Sequence, residues 1–386
     1  MNSSENKIAT ASGSQPTQPG ETPPRQGALG GGSLGSTLLK FGVPLLISVG
    51  LCFALFHDVD LPEMWRIIRE ECDFRYIGLS ILIGFIPLIV RAARWGIQLK
   101  AIGVRPPLHI LFYSILGTYA FNVLFPRLGE VWRSGYIAYR QDAPFSEVFG
   151  SMIADRLADT LTVLLLLLIT IGFAAEPFQK FFATYPDFYN KMSALLSSPL
   201  FWGAGVACLL LFIALLRYGR GKFISRVRSF FSGIWEGFAA IARMKGKGRW
   251  LLLTAVLWTA YFMQMYVSFQ AFPLTRSLYE SNGIIVVLIC YMLTTLSMAI
   301  PSNGGIGPYQ MAVNFGLTLF APAAVTASVH SATHTAFITE ATAFGNTVIA
   351  SQTLMFIVGG IVVFILIAID RHNRVPAVKY RKNQAK

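Results

Sequence analysis

An all-α bundle embedded in a membrane is the fold class this sequence predicts, and three observations predict it. Of its 386 residues, 54% are hydrophobic and 13% charged, about half the charged share of an ordinary soluble domain. The mean hydropathy is +0.55. Apolar runs near the length that a helix needs to cross a bilayer, about 20 residues, recur at 39–56, 76–90, 152–174, 200–216, 250–272 and 347–369. Barrel strands are short and alternate polar with apolar residues. These runs do not alternate, which argues against a β-barrel. The net charge of +13 comes from Lys and Arg gathered between the runs. That is the positive-inside pattern of a membrane protein, not the basic face of a nucleic-acid binder.

The elements follow in order. Residues 1–36 are rich in Ser, Thr, Pro, Gly and Gln. They lack the basic-then-apolar layout of a secretory leader, and they read as a disordered tail. Residues 37–370 form the transmembrane domain, and 371–386 a basic tail. Segment 217–249 holds nine Lys/Arg and one acid, and the tail from Asp370 holds six and one. Segment 91–107 holds Arg91, Arg94, Lys100 and Arg105 with no acid. These three are predicted to be cytoplasmic. Segment 57–75 has six acids against three bases, and 176–199 and 273–283 are balanced; these are predicted to be external. Both termini then face the cytoplasm, as expected of a multi-pass protein of the cell inner (plasma) membrane.

Two further apolar runs break abruptly. Run 108–125 stops at Pro126-Arg127-Leu128-Gly129-Glu130, and run 284–300 stops at Pro301-Ser302-Asn303-Gly304-Gly305-Ile306-Gly307-Pro308. Non-helical backbone at membrane depth is tolerated only when buried in protein or lining a wet cavity. An even number of crossings must separate 107 from 217, yet three apolar runs lie between. One of them does not cross, and 108–140 is the natural candidate for a re-entrant hairpin from the cytoplasmic side. Segment 284–320 then forms a hairpin from the opposite side, or two crossings. Span, broken hairpin, span, repeated with opposite entry, is an inverted repeat. A bundle of about eight spanning helices is the competing architecture.

The breaks carry the candidate binding residues. Arg127, Glu130 and Arg133 recur at a spacing of three, one side of a helix. Arginine grips phosphate oxygens with a planar fork, and charges at membrane depth are expensive unless paired or functional. Arg127, Arg133 and Arg94 are the candidate lipid-phosphate ligands. Asn122 and Glu130 would hold their geometry. Arg91 and Arg94 could instead snorkel to the interface. Asp155, Arg156 and Asp159 stand in an otherwise apolar run. They read equally as an internal salt bridge and as acids that aim the arginines or couple protons. In the second break, Pro301, Ser302, Asn303, Gly304, Gly305, Gly307 and Gln310 would form the opposite wall. Its glycines let backbone N–H groups approach a ligand, and Pro308 suits a new helix whose N-terminus favours an anion. A plain helix–helix turn explains the same residues.

Other chemistry finds no support. Cys52, Cys72, Cys208 and Cys290 have no metal spacing and read as small apolar fillers. His330 and His334 share a helix face, but Glu340 lies off it, and a zinc site needs more ligands. Segment 321–346 reads instead as a polar helix at the membrane surface. Neither Gly219-Arg220-Gly221-Lys222 nor the second break is a nucleotide loop. No metal, cofactor, nucleotide or nucleic-acid partner is expected.

The order Asn122…Pro126-Arg127-Leu128-Gly129-Glu130…Arg133, then Asp155-Arg156-Leu157…Asp159, then Pro301…Gly304-Gly305-Ile306-Gly307 resembles the lysylphosphatidylglycerol synthase transmembrane family over about residues 38–370. The resemblance implies a flippase-like module that handles anionic or aminoacylated phospholipids or polyprenyl-phosphate-linked lipids. Two positions depart from the family pattern: Gln310 stands where Glu is usual, and Asp155 replaces Glu. Family members that transfer an aminoacyl group carry a soluble domain after the membrane part. By that comparison the chain looks like the flippase-type module without the synthase. The expected partners are membrane lipids with anionic headgroups. The competing readings are a membrane-embedded lipid transferase and a non-transporting scaffold of a cell-envelope enzyme.

Overall fold

The computed structural model describes residues 60–173 except Pro126, 199–219, 244–300, 302, 305–326 and 331–372, with single residues between 175 and 198 and between 221 and 228. The N-terminal tail, the 39–56 run, most of 220–243 and the tail past 372 lie outside the described residues. So do Pro126, Pro301, Asn303, Gly304 and His330.

Among the described residues all regular structure is α-helical. Helix α1 (Leu61–Glu70) starts where the Asp60 carboxylate accepts the Glu63 backbone N–H at 3.1 Å, an N-cap that satisfies one orphan donor. Asp73 caps α2 (Phe74–Ala101) in the same way. Then come α3 (Leu108–Leu124), α4 (Leu128–Gln141), α5 (Phe145–Phe173), α6 (Pro199–Tyr218) and α7 (Lys247–Phe269). Helices α8 (Pro273–Asn282), α9 (Ile284–Ser297), α10 (Pro308–Thr318), the short α11 (Ala323–Thr326) and α12 (Ala332–His372) complete the order. Proline opens α6, α8 and α10, where its missing N–H costs nothing.

Among the described residues four helices, α2, α5, α7 and α12, are long and apolar enough to cross a membrane. A fifth span results if α8 and α9, bent by 119°, count as one. Their outer faces are apolar: Leu161, Leu164, Leu165 and Leu168 on α5 and Leu354, Val358, Ile361 and Ile365 on α12 are exposed. A continuous exposed apolar belt belongs against hydrocarbon rather than water.

The helices pair tightly. Helix α2 runs antiparallel to α7, with Ser80 Oγ 2.9 Å from Ser268 Oγ and Arg94 Nη1 donating to Thr254 Oγ1 at 3.4 Å. Helices α3 and α4 fold back on each other across the first break. A Cβ at Gly129 would stand 2.2 Å from the Thr118 carbonyl oxygen, so only glycine permits this approach. Helices α9 and α10 do the same across the second break, where Gly316 abuts Cys290. Helix α12 closes on α3 through Gly359 and Gly360, against Leu116 and Ala120, the small-residue contact that lets membrane helices touch. Two large apolar cores and a small third one around Ile289 and Leu319 result among the described residues. Of the two large cores, one gathers Phe269, Phe272, Val287, Val313 and Phe344. The other gathers Leu88, Trp95, Leu99, Ile115 and Ile137.

Several sequence expectations change. Arg91 and Arg94 do not snorkel: both are buried within α2, because carboxylates on α5 meet them inside the bundle. They are therefore not free loop charges, and the cytoplasmic assignment of 91–107 rests on Lys100 and Arg105 alone. Segment 332–346 is not a surface helix. It forms the first turns of α12, with Thr339, Ala341, Thr342 and Phe344 buried. Its Ala and Thr residues serve close packing, and Thr342 accepts a hydrogen bond from Asn314 at 2.8 Å. The His334 ring stands 3.2 Å from the Val325 carbonyl. Cys290 is buried, but Cys208 is exposed on α6. Cys72 is half-buried, and burial pushes its thiol up to about 11 with Asp73 adding to the shift.

Candidate functional site

A cavity of about 430 Å³ opens where the two large cores meet. Its wall takes Leu88 and Met355 from one core and Met265, Tyr291 and Tyr309 from the other. Both breaks reach it. Asn122, Arg127 and Glu130 line it from the first, and Met298, Ile300, Ser302 and Gly305 from the second.

Arg127 joins the breaks. It caps α4 in the left-handed region, with φ 63°, a conformation that side-chain-bearing residues adopt only at a cost. That backbone turns its guanidinium toward the second break, where Nη2 donates to the Ala299 carbonyl at 2.8 Å. This carbonyl lies just past the end of α9, where helical partners run out. Asn122 ties the turn from the other side. Its Oδ1 accepts the Gly129 N–H at 2.9 Å, and its Nδ2 donates to the Glu130 carboxylate at 3.3 Å. Arg156 on α5 donates to the other Glu130 oxygen, also at 3.3 Å.

Behind this wall lies a buried ion cluster. Arg91, which lines the cavity, donates to Asp159 at 2.6 Å. Arg94 donates to Asp159 at 2.5 Å and Asp155 at 2.7 Å with no solvent exposure at all. Asp155 is equally buried, and with the Gln98 amide turned to suit, it accepts from Gln98 at 3.1 Å. The guanidinium carbon of Arg133 sits 4.4 Å from the centre of the Trp95 ring, and Nη2 is 3.9 Å from Asp155. None of the Arg133 guanidinium nitrogens has a hydrogen-bond partner among the described residues. The cluster sets four guanidiniums (Arg91, Arg94, Arg133, Arg156) against three carboxylates (Glu130, Asp155, Asp159). It carries one excess positive charge, and Arg127 adds another at the wall. Low dielectric makes such an excess attract anions far more strongly than it would in water.

The residues singled out from sequence therefore divide. Asn122, Arg127, Glu130, Arg156, Ser302 and Gly305 come together on the wall. Arg94, Arg133, Asp155 and Asp159 form the buried layer behind it and do not line the cavity. Gln310 also stays off the wall. Its Oε1 accepts the Gly307 N–H at 2.8 Å, and its Nε2 donates to Asn346 at 3.0 Å, so the N-terminus of α10 is already capped. Pro301, Asn303 and Gly304 lie outside the described residues. Sequence reasoning missed Arg91 as a wall residue. The signal was present: Arg91 and Arg94 at i, i+3 match Asp155 and Asp159 at i, i+4, a complementary pair of helix faces. It also missed the Tyr119–Tyr261 hydroxyl pair, 3.3 Å apart.

The profile of the family described as lysylphosphatidylglycerol synthase TM region matches residues 42–339. The chain belongs to this family. It is also similar to a UPF0104 membrane protein of Methanocaldococcus jannaschii, 20% identical over 291 residues that cover 72% of this chain and 85% of the relative. No solved structure matches. Within the family match fall both broken hairpins and the whole ion cluster. All of α12 after residue 339 lies beyond it, including Asp370, whose ion pair with Arg140 fastens the helix to α4.

Proposed function

We propose that this family member binds an anionic lipid by its phosphate and carries the headgroup across the inner membrane. The observation that carries this reading is the cavity itself. It is lined by Arg91, Arg127 and Arg156 against one carboxylate, Glu130, that is already engaged. The wall arginines hold the phosphate. Arg94, Asp155, Asp159 and Arg133 act as positioning residues that fix Arg91 from behind. Apolar flanks along α2, α3 and α12 hold the acyl or prenyl chains, so only the headgroup needs a polar path. A transferase would need a free general base near the phosphate, whereas Glu130 is tied to Asn122 and Arg156 and Asp155 is off the wall.

The same reading includes the inverted repeat. In it, α2, the α3–α4 hairpin and α5 form one half, and α7, the α9–α10 hairpin and α12 form the other. Three features support it. The first spans, α2 and α7, run antiparallel. Each hairpin turns at a break that lines the cavity. The second hairpin helix meets the following span through equivalent pairs, Glu130–Arg156 in one half and Gln310–Asn346 in the other. Both hairpins re-enter, and both termini are cytoplasmic.

Two measurements test this. Purified protein in proteoliposomes should raise the fraction of tail-labelled phosphatidylglycerol that external dithionite reduces, relative to protein-free vesicles. No increase removes the transport reading. For topology, Tyr139 is 76% exposed near the end of α4. A Tyr139→Cys substitution in a cysteine-free background should react with maleimide only from the cytoplasmic side. Labelling from the periplasmic side would mean that α3 and α4 do not form a re-entrant pair.

A further inference from the structure

The charge on the cavity wall is divided along the chain. Arg91, Arg127, Glu130 and Arg156, its charged residues, all belong to the first half. Among the described residues, every wall residue from Trp258 onward is uncharged. This second-half wall is nonetheless polar and aromatic. Gln264 is buried, with 7% exposure. It lines the cavity, and the hydrogen bonds it makes are through its backbone carbonyl, so its amide is unpartnered among the described residues. Gln352 and Thr353 line the wall from α12. The Trp258 indole N–H is buried with no hydrogen-bond partner among the described residues. Thr294 and Thr295 donate back to their own helix and keep acceptor capacity toward the cavity.

Amides offer donors and acceptors together, and threonine hydroxyls do the same. A ligand group that matches such a surface is a neutral polyol, whose hydroxyls both donate and accept. Trp258 and Tyr261, which also line the wall, suit the C–H side of such a group, since aromatic rings bury apolar surface beside a polar tip. An ammonium fits poorly. The one wall carboxylate is spent on Asn122 and Arg156. The three guanidiniums repel a cation, and like-charge juxtaposition at a recognition surface rejects a partner. Aromatic faces attract cations, but here they share the cavity with those arginines.

We infer that the bound lipid is a phosphodiester with an uncharged, hydroxyl-bearing headgroup, its phosphate toward the first half and its hydroxyls toward the second, and that aminoacylated headgroups are excluded. This rests on the anionic-lipid reading above and narrows it. The occupant is thus set apart from the lysyl-bearing lipid in the family's description.

The full-length protein, purified in detergent, is offered phosphatidylinositol, phosphatidylglycerol, phosphatidic acid, lysyl-phosphatidylglycerol and phosphatidylcholine with matched acyl chains. Bound lipid is counted by native mass spectrometry. Phosphatidylinositol and phosphatidylglycerol should exceed phosphatidic acid by at least about tenfold, well within what polar pairing can discriminate. Lysyl-phosphatidylglycerol should bind no better than phosphatidylcholine. Gln352→Leu and Gln264→Leu should each lower phosphatidylinositol more than phosphatidic acid, narrowing the gap between the two lipids. Equal binding of phosphatidic acid and phosphatidylinositol, or lysyl-phosphatidylglycerol at the level of phosphatidylglycerol, overturns the inference and leaves the anionic-lipid reading standing. If every anionic lipid binds no better than phosphatidylcholine, the broader reading fails as well.

Discussion

Asp155→Ala should lower the stability of the folded protein by about 3–5 kcal/mol, the cost of breaking a buried ion pair by removing one partner. Asp155 has no solvent exposure, and neither has Arg94, which donates to it at 2.7 Å. It also stands 3.8 Å from Arg91 and 3.9 Å from Arg133. Without it, Asp159 alone faces Arg91 and Arg94, and Arg133 loses its nearest carboxylate. Asp155→Asn keeps the shape and removes the charge, so it should fall between the alanine variant and wild type. Arg156→Ala is the contrast. Its side chain is 35% exposed, and pairs open to solvent contribute about 1 kcal/mol or less. Thermal unfolding in detergent, followed by intrinsic fluorescence, orders the three. An unfolding midpoint for Asp155→Ala within error of wild type would mean that the cluster is not held as described.

Much of the frame was legible before any coordinates. Four of the expected spans (α2, α5, α7 and α12), the two breaks and the family resemblance follow from apolar length and from proline and glycine at fixed places; the 39–56 run lies outside the described residues, and α6 falls short of a span. The wall was legible only in part, for a reason specific to membranes. In a soluble helix the buried face is the apolar one, but a lipid-facing helix is apolar on its outer side too. Composition alone therefore cannot say which way Arg91 or Arg94 points. Arg127, Glu130 and Asn122 could be grouped because one turn joins them locally. Gln264, Gln352 and Trp258 could not, because helices far apart in sequence bring them together. Gln264 did leave a trace, as an amide inside a long apolar run. The misreading of 332–346 has a related cause: Ala and Thr mark water-facing helices and tight membrane contacts alike.

Arg127→Gln should abolish lipid movement in proteoliposomes while the protein still inserts and folds. The guanidinium does two jobs at once, and the experiment must part them. It lines the cavity, and it donates to the Ala299 carbonyl at 2.8 Å. Loss of the second contact is a single hydrogen bond to a charged donor, about 1.5–3 kcal/mol. Arg127→Gly separates the two. Its backbone relaxes, because a left-handed φ of 63° costs a residue with a side chain about 1–2 kcal/mol and glycine almost nothing. The glycine variant should therefore melt nearer to wild type than the glutamine variant does, yet move lipid no better. Arg127→Lys keeps the charge but not the fork, and a point charge grips phosphate without bidentate geometry, so it should retain a fraction of the activity. This ordering follows only if the charge at the junction of the two breaks meets the phosphate. If transport instead tracks unfolding midpoint across Gln, Gly and Lys, Arg127 is a strut between two hairpins, and the phosphate is held elsewhere.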